Sequence, residues 1–344
     1  MIINLNRPNY NAWTISSDSY PGSESIESKI QYFLKYALLA VSANNAQPWL
    51  FSINGDELLV KYNETKMLPV MDAHSRSLYI GIGAAIGNLE IAAHYFGYSL
   101  SIEYLFHGVD VVKIKVFPTR NVDDSLVEMF SAITQMKTNR RKRLDLAISL
   151  HSVKKIETVL LKSKTFYRLV QNQEEKEQIG DLVVSSIRYV FSNTRCRRDL
   201  AKWVRDNYTH KYDGMPAYTK GIPDIPSLIV PLILKYVNIG KQHATSSKRM
   251  IISSPVTFVL GSSIDSLRNW VSVGQSMQKI SLMSISEKLS VGIFIGPIEF
   301  EELREKVVSC LNLSFAPQIF LSIGYCSRGV EHSPRHQLQQ ILLS

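Results

Sequence analysis

The chain has 344 residues, 45% hydrophobic and 20% charged, the profile of a globular protein with chain enough for one large domain or two ordinary ones. No apolar run reaches the ~18 residues of a membrane-spanning helix; the longest, LIVPLILKYV at 228–237, is short and interrupted by proline. The formal net charge of +9 admits nucleic acid, but the densest basic clusters, KTNRRKR (137–143) and RCRRDLAKWVR (195–205), lack the interleaved aromatics of a base-stacking surface. A basic surface or a pocket for a phosphorylated ligand is the better reading, with no nucleic-acid or membrane partner expected. Three separated cysteines form neither a metal spacing nor a disulfide framework, and MIINLNRPNYNAW has no leader pattern, so a cytoplasmic protein is expected.

In chain order, an amphipathic run SIESKIQYFLKYALLA (25–40) leads into VSANNAQPWLF (41–51), and the strand-like FSINGDELLVKY (51–62) leaves it. A plain turn needs one or two turn formers, whereas this connector holds two Asn, a Gln, a Pro and a Trp, which suits it to hold something planar and polar. DAHSRSLYIGIGAAIGNLEIA (72–92) reads as a long helix, and LSIEYLF as a strand after it. Its GIGAAIG has the spacing GxGxxxG within a helical pattern, which favours close helix packing over a dinucleotide loop. KTNRRKR precedes a second amphipathic run, SVKKIETVLLKSK (152–164). KYDGMPAYTKGIPDIPSLIVPL (211–232), with four Pro and two Gly, reads as a loop or lid. KRMIISSPVTFVL, a second long helical run and VGIFIG follow. The eight His show no metal spacing, and neither a Gly-x-Ser-x-Gly elbow nor a catalytic dyad is present, so no metal site and no catalytic side chain are assigned.

The two long helical runs align when Gly83 is set against Gly274: Ile86 then meets Met277, Leu89 meets Ile280 and Ile91 meets Leu282. Each half reads helix, strand, long helix, strand, which predicts an α+β unit made twice, with halves at 1–128 and 129–344. The halves differ: only the first carries SANNAQPW, and only the second carries the basic KTNRRKR. One polar clamp and one basic clamp suit a ligand with a planar polar head and an anionic tail, held between the halves.

On these residues the chain resembles the nitroreductase-like FMN-binding superfamily, and within it the Acg-like branch, in which one chain holds two fused nitroreductase-like halves. The resemblance rests on Ser42-Ala43-Asn44-Asn45-Ala46-Gln47-Pro48-Trp49, on Lys137-Thr138-Asn139-Arg140-Arg141, and more weakly on the Asp72–Arg76 segment and HSPRHQLQQIL (332–342). It implies a duplicated nitroreductase-like fold forming a pseudo-dimer, as a monomer or homodimer. It also implies FMN as cofactor, NAD(P)H as donor, and hydride transfer to a nitroaromatic, quinone or other electron-poor acceptor. A non-catalytic FMN store, or an oxidase or dehydrogenase of a biosynthetic intermediate, are the alternatives. For FMN it implies Ser42, Ala43, Asn45 and Gln47 at the ring and Lys137, Thr138, Arg140, Arg141 and Arg335 at the phosphate. Arg249 would lie near the pyrimidine edge, and Gly296, Pro297, Ile298 and Glu299 near N5. A lid at 211–232 would bring Tyr212, Met215 and Tyr218 to the substrate. Three departures from the family pattern stand out: Lys137 where Arg is usual, Ala43 in the loop, and Lys142-Arg143 in place of Pro and an aromatic.

Overall fold

Hairpins and amphipathic helices alternate along the chain as their hydrophobic periods dictate; the computed structural model describes residues 7–121, 123–163 and 165–343. Helix α1 (Ile26–Ala37) starts at Ser25, whose hydroxyl accepts from the Ser28 amide, and buries Ile30, Phe33, Leu34 and Ala37 along one face. Strands β1 (Trp49–Asn54) and β2 (Glu57–Tyr62) follow, then α2 (Arg76–Tyr95), β3 (Tyr98–His107), β4 (Asp110–Pro118) and α3 (Asp124–Phe130). The chain continues with α4 (Leu150–Lys162), β5 (Phe166–Val170), α5 (Gln173–Ser192), α6 (Thr194–Ala201), and the two-residue strands β6 (Val204–Arg205) and β7 (Met215–Pro216). Next come α7 (Asp224–Ser227), α8 (Val230–Tyr236), α9 (Gly240–Ile252), β8 (Val256–Ser262) and α10 (Leu267–Ser286). It ends with β9 (Ser290–Phe294), α11 (Gly296–Glu299), α12 (Glu301–Cys310), β10 (Ala316–Gly324) and β11 (Leu342–Leu343).

One sheet has the order β11-β1-β2-β4-β3 and another β5-β8-β10-β9. Setting β1, β2, β3 and β4 against β5, β8, β9 and β10 makes the two orders coincide, with every neighbouring pair of these strands antiparallel. Helices α2 and α10, each of 20 residues, occupy the same place in the two units. The chain is therefore α+β with one topology used twice, as the sequence predicted. The division at 128/129 stays a proposal; Glu128 itself lies within α3.

The two units meet where α2 crosses α10. A Cβ at Gly83 would lie 2.0 Å from the carbonyl oxygen of Val271, and one at Gly274 would lie 2.1 Å from that of Ile80. Only glycine permits this approach, so GIGAAIG is a packing surface. Beside the crossing, the buried Gln278 amide donates to Asn88 Oδ1 at 2.8 Å, and Asn88 donates to the Tyr36 carbonyl at 3.0 Å. One core joins Leu58 and Val60 of the first sheet to Phe258 and Leu321 of the second through these helices. A separate core of Ile179, Val183, Met250, Val259 and Phe320 seats α5 and α9 on the second sheet. The C-terminal arm returns to the first unit, where β11 pairs in parallel with β1.

Candidate functional site

The 42–49 connector is held in a conformation that few sequences tolerate. Asn44, Asn45 and Gln47 have φ of 51°, 56° and 53°, in the left-handed region, which Asn visits most readily among non-glycine residues. Ser42 Oγ accepts from the Gln47 amide at 2.9 Å and closes the loop. The buried Asn45 side chain donates to the carbonyls of Gly214 and Pro334, each at 2.9 Å, and accepts from Arg335 Nη1 at 2.7 Å. Gln47 Nε2 donates to the Tyr212 carbonyl at 2.7 Å, and Gln47 Oε1 accepts from the His336 amide at 2.9 Å. These amides therefore bind the lid and the C-terminal arm to the loop. Protein partners thus engage both functional ends of each side chain, and the place of Asn45 and Gln47 at a ring stays a proposal.

The basic stretch is fixed by Arg143, a residue for which the sequence reading assigned no role. The residue is 2% exposed, and its guanidinium donates to the carbonyls of Asn139, Arg141 and Ser322 and to Cys326 Sγ. Gly292 makes room for it, because a Cβ there would lie 2.8 Å from Arg143 Nη2. Asn139 donates its amide to Val291 O at 2.8 Å, and Thr138 bridges Val291, so the stretch runs along the edge of the second sheet. Arg140 then reaches back to the Ile293 carbonyl through Nε (3.2 Å) and Nη2 (3.1 Å).

Between loop, basic stretch, lid and C-terminal arm lies a cleft of about 90 Å³. Ser42, Asn44, Asn45, Lys137, Thr138, Arg140, Met215, Lys220, His332 and Arg335 are among its lining residues. Trp13 forms part of the wall, stacked on His332 (centroids 3.9 Å apart), with the Arg335 guanidinium 4.7 Å from its ring. Among the described lining residues the only carboxylate is Glu331. Burial first, and neighbouring positive charge second, lower the affinity of Lys220, His243 and His332 for a proton. Lys220 is exposed at the cleft mouth, but the density of protein around it and the neighbouring Arg140 push its ammonium down to about 7. Arg140 opens onto the cleft, yet the protein around it is dense enough to lower its pKa too. Burial, then Lys220 and Arg140, hold His243 down to about 3; burial, then Lys137 and Arg335, do the same to His332. Burial lowers Arg335 to about 9. Arg335 Nε and His332 Nδ1 are buried with no hydrogen-bond partner among the described residues. Such groups are costly unless an acceptor or anion meets them.

Of the remaining expected residues, several stand elsewhere. Arg335 lines the cleft, but its Nη2 is engaged by the segment that follows α1, donating to the carbonyls of Leu39 (3.3 Å) and Ala40 (3.2 Å). Ala43 packs with Ala46, Leu68 and Trp203 and lines a minor recess rather than the cleft. Arg141 is exposed and does not line the cleft. Arg249 is exposed on the last turn of α9, a helix packed on α5, and is likewise no part of the cleft. Gly296, Pro297 and Ile298 form α11, packed on α5: a Cβ at Gly296 would lie 2.6 Å from Ser186 Oγ, and Ile298 belongs to the second core. Glu299 instead accepts from Ser77 beside the buried Asp72, across the contact between the units. The lid holds short helices, not irregular loop alone. Of its three expected substrate contacts only Met215 lines the cleft. Tyr212 stacks on His336, and the Tyr218 hydroxyl, in contact with Tyr10 at 2.6 Å, donates to the His332 carbonyl at 2.5 Å. Trp13, Lys220 and His332 went unread because they come from the N-terminal segment, the lid and the arm, joined only by the fold.

The lid is latched to the first unit. Asp213 takes hydrogen bonds from Lys66 (2.5 Å) and Arg205 (2.8 Å), which outweigh its burial and hold its carboxyl below the ordinary range. Among the described residues no group of acidic, His or Cys side chains is arranged to hold a metal ion, and no helix is long and apolar enough to cross a membrane.

No protein-family model and no curated protein matches the chain. Solved structures similar to it include the FMN-dependent nitroreductase NfnB from Mycobacterium smegmatis, described in complex with NADPH. That match has 12% identity and a TM-score of 0.42, over 62% of this chain and 96% of that one. They also include an iodotyrosine deiodinase bound to FMN and 3-iodo-L-tyrosine (13%, TM-score 0.41, 61% and 95%) and NfrA2 from B. megaterium (13%, TM-score 0.38, 60% and 70%). At these TM-scores the overlaps decide neither the activity nor the site.

Proposed function

We propose that the cleft binds FMN and that the protein is a flavin-dependent oxidoreductase, taking reducing equivalents from NAD(P)H and passing a hydride to an electron-poor acceptor such as a nitroaromatic or quinone. The observation that supports this is the cleft's surplus of positive charge: Lys137, Arg140, Lys220 and Arg335 line it with one carboxylate, Glu331. That donor set fits a phosphate monoester, which accepts several charge-assisted hydrogen bonds at once. Bound FMN would supply the hydride-accepting ring, a chemistry no side chain offers. Arg140 and Lys220 would hold the phosphate, with Lys137 and the Thr138 hydroxyl beside them. Trp13 and His332 would wall the site, and the lid would exclude water.

At about 90 Å³ the cleft is smaller than the ~300–1,000 Å³ of cofactor pockets, so FMN would enter with the lid open. The closed, latched lid favours a second reading, in which the protein stores FMN without turning it over. NAD(P)H oxidation by the FMN-loaded protein separates the two.

The test is a spectrum of the purified protein, with released flavin counted per chain. One FMN per chain is expected. The double variant Arg140→Ala/Lys220→Ala is expected to weaken FMN binding by roughly 100-fold, about 1.4 kcal/mol per lost contact, with an unchanged thermal midpoint. Full flavin retention by the double variant sinks the site. Titration adds a second readout. The Lys220 ammonium is pushed below its ordinary value, so affinity falls as rising pH removes its charge, and Lys220→Arg flattens that fall.

A further inference from the structure

The longest apolar run of the sequence does not enter the main core. α7 and α8 turn Ser227, Val230 and Leu234 inward, Val230 and Leu234 against Phe191 and Ala217. The same two helices present Ile225, Leu228, Ile229, Leu232 and Tyr236 to solvent, each 55–79% exposed. They stand on the two short helices and on the two residues, Leu228 and Ile229, that join them. With Val237 (51% exposed), six large apolar side chains stand exposed within 13 residues. A cluster of this kind on a soluble surface marks a contact.

The fully exposed charged side chains around it are basic. α6 packs on α8 and carries Arg195 and Arg198 at exposed positions, with Lys202 exposed just past its end, while Lys235 and Lys241 are exposed on α8 and at the start of α9. The nearby acids are engaged: Asp199 is buried and pairs with Lys202 at 3.3 Å, and Asp224 accepts from Asn207 at 2.9 Å. An apolar stripe edged by exposed Lys and Arg is the pattern of a segment that lies in a membrane interface, with its apolar side among the acyl chains and its cations at anionic headgroups. Long basic side chains reach such headgroups while their stems stay in apolar contact.

We propose that this face, α7 and α8 with the basic edge of α6, docks on the surface of an anionic lipid bilayer. A second copy of the chain fits less well, because five exposed cations on one copy would face their own image, on chains of net charge +9. A run too short to span a bilayer is long enough to lie on one, and the proposal departs there from the sequence-based expectation of no membrane partner. The docking is independent of the flavin proposal.

The test is co-sedimentation of the full chain with vesicles of phosphatidylcholine alone or with 40% phosphatidylglycerol (about 0.1 M salt), with Leu228→Ser/Leu232→Ser and Lys235→Glu as variants. Both altered residues of the double variant are exposed, and its thermal midpoint checks the fold. Binding to the anionic vesicles is expected, at least 10-fold weaker with the double variant, and weaker with Lys235→Glu and on neutral vesicles. A Tyr236→Trp variant is expected to shift its emission to the blue on the anionic vesicles. Absence of binding, or binding that the double variant leaves unchanged, overturns the proposal. So does a wild-type dimer that becomes a monomer in the double variant without any vesicle binding by the wild type.

Discussion

The same turn is built in two ways in the two units. Between β1 and β2 the chain reverses through Gly55 and Asp56, with Gly55 at φ +61° and nothing within 4 Å of where its Cβ would be. Between the equivalent strands β5 and β8 it runs from 171 to 255, through α5 to α9 and the lid. The sheets tolerate both because a hairpin connection is external to the strand ladder, and long surface insertions cost little closure entropy. Duplication thus lets one copy keep the plain turn while the other carries Met215, Thr219 and Lys220 into a cleft. The contribution to that cleft is asymmetric in the other direction as well: the first unit supplies the strained loop, and the second supplies Lys137 and Arg140.

The equivalence of the units is most severely tested at their crossing. Gly83→Leu would drive a side chain into the Val271 carbonyl, and Gly274→Leu would do the same at Ile80. Each is expected to cost roughly 3 kcal/mol or more by overpacking with no room to relax, read as a fall in the denaturation midpoint. Gly329→Ala, at a position with nothing within 4 Å, serves as the harmless control. A mild effect at Gly83 would mean that the helices do not cross there.

A smaller effect is expected where the units exchange charge. Burial, and then the neighbouring Asp72, push the Glu299 carboxyl up from 4.5 to about 8. Folding therefore takes up a proton between those values, and stability falls as pH rises from about 4.5 through 8. Glu299→Gln keeps an acceptor for Ser77 and removes the titration. At pH 9 it should be more stable than the wild type by on the order of 2 kcal/mol, with little difference at pH 5. A difference independent of pH would remove the carboxyl from this role.

Legibility in the sequence followed the range of the interactions. The alignment of Gly83 with Gly274 lands on the helix crossing, because helical period and small residues are local signals that packing preserves. The SANNAQPW loop and the KTNRRKR stretch stand at the cleft for the same reason. What the sequence left unread was the protein partners of these side chains. Asn45 and Gln47 look like free amides in sequence, and only the fold brings the Gly214, Pro334 and Tyr212 carbonyls to them. Arg249 has the right chemistry but sits exposed on α9, whose orientation is set by its packing on α5. Lys220 and Trp13, the unread members of the cleft, are separated by about 200 residues and share no motif.

The finest test of the asymmetry is the latch, where Asp213 of the lid meets Lys66 of the first unit and Arg205. All three side chains are only 11–16% exposed, so the pairs are weakly screened, and removing the shared anion leaves two cations facing each other. Asp213→Asn is expected to favour lid opening by about 1 kcal/mol, seen as a roughly five-fold faster uptake of FMN in stopped-flow fluorescence. Because the Asp213 carboxyl is held below its ordinary value, the wild-type latch is intact above that value and is lost only as pH falls through the lowered one. Wild-type uptake should therefore be flat from pH 6 to 8 as far as the latch is concerned, and accelerate only in acid, while the variant shows no acid acceleration. Equal rates at pH 7 would show that the amide contacts of Asn45 and Gln47, not the ion pairs, keep the lid closed, and Gln47→Ala would then be the variant that opens it.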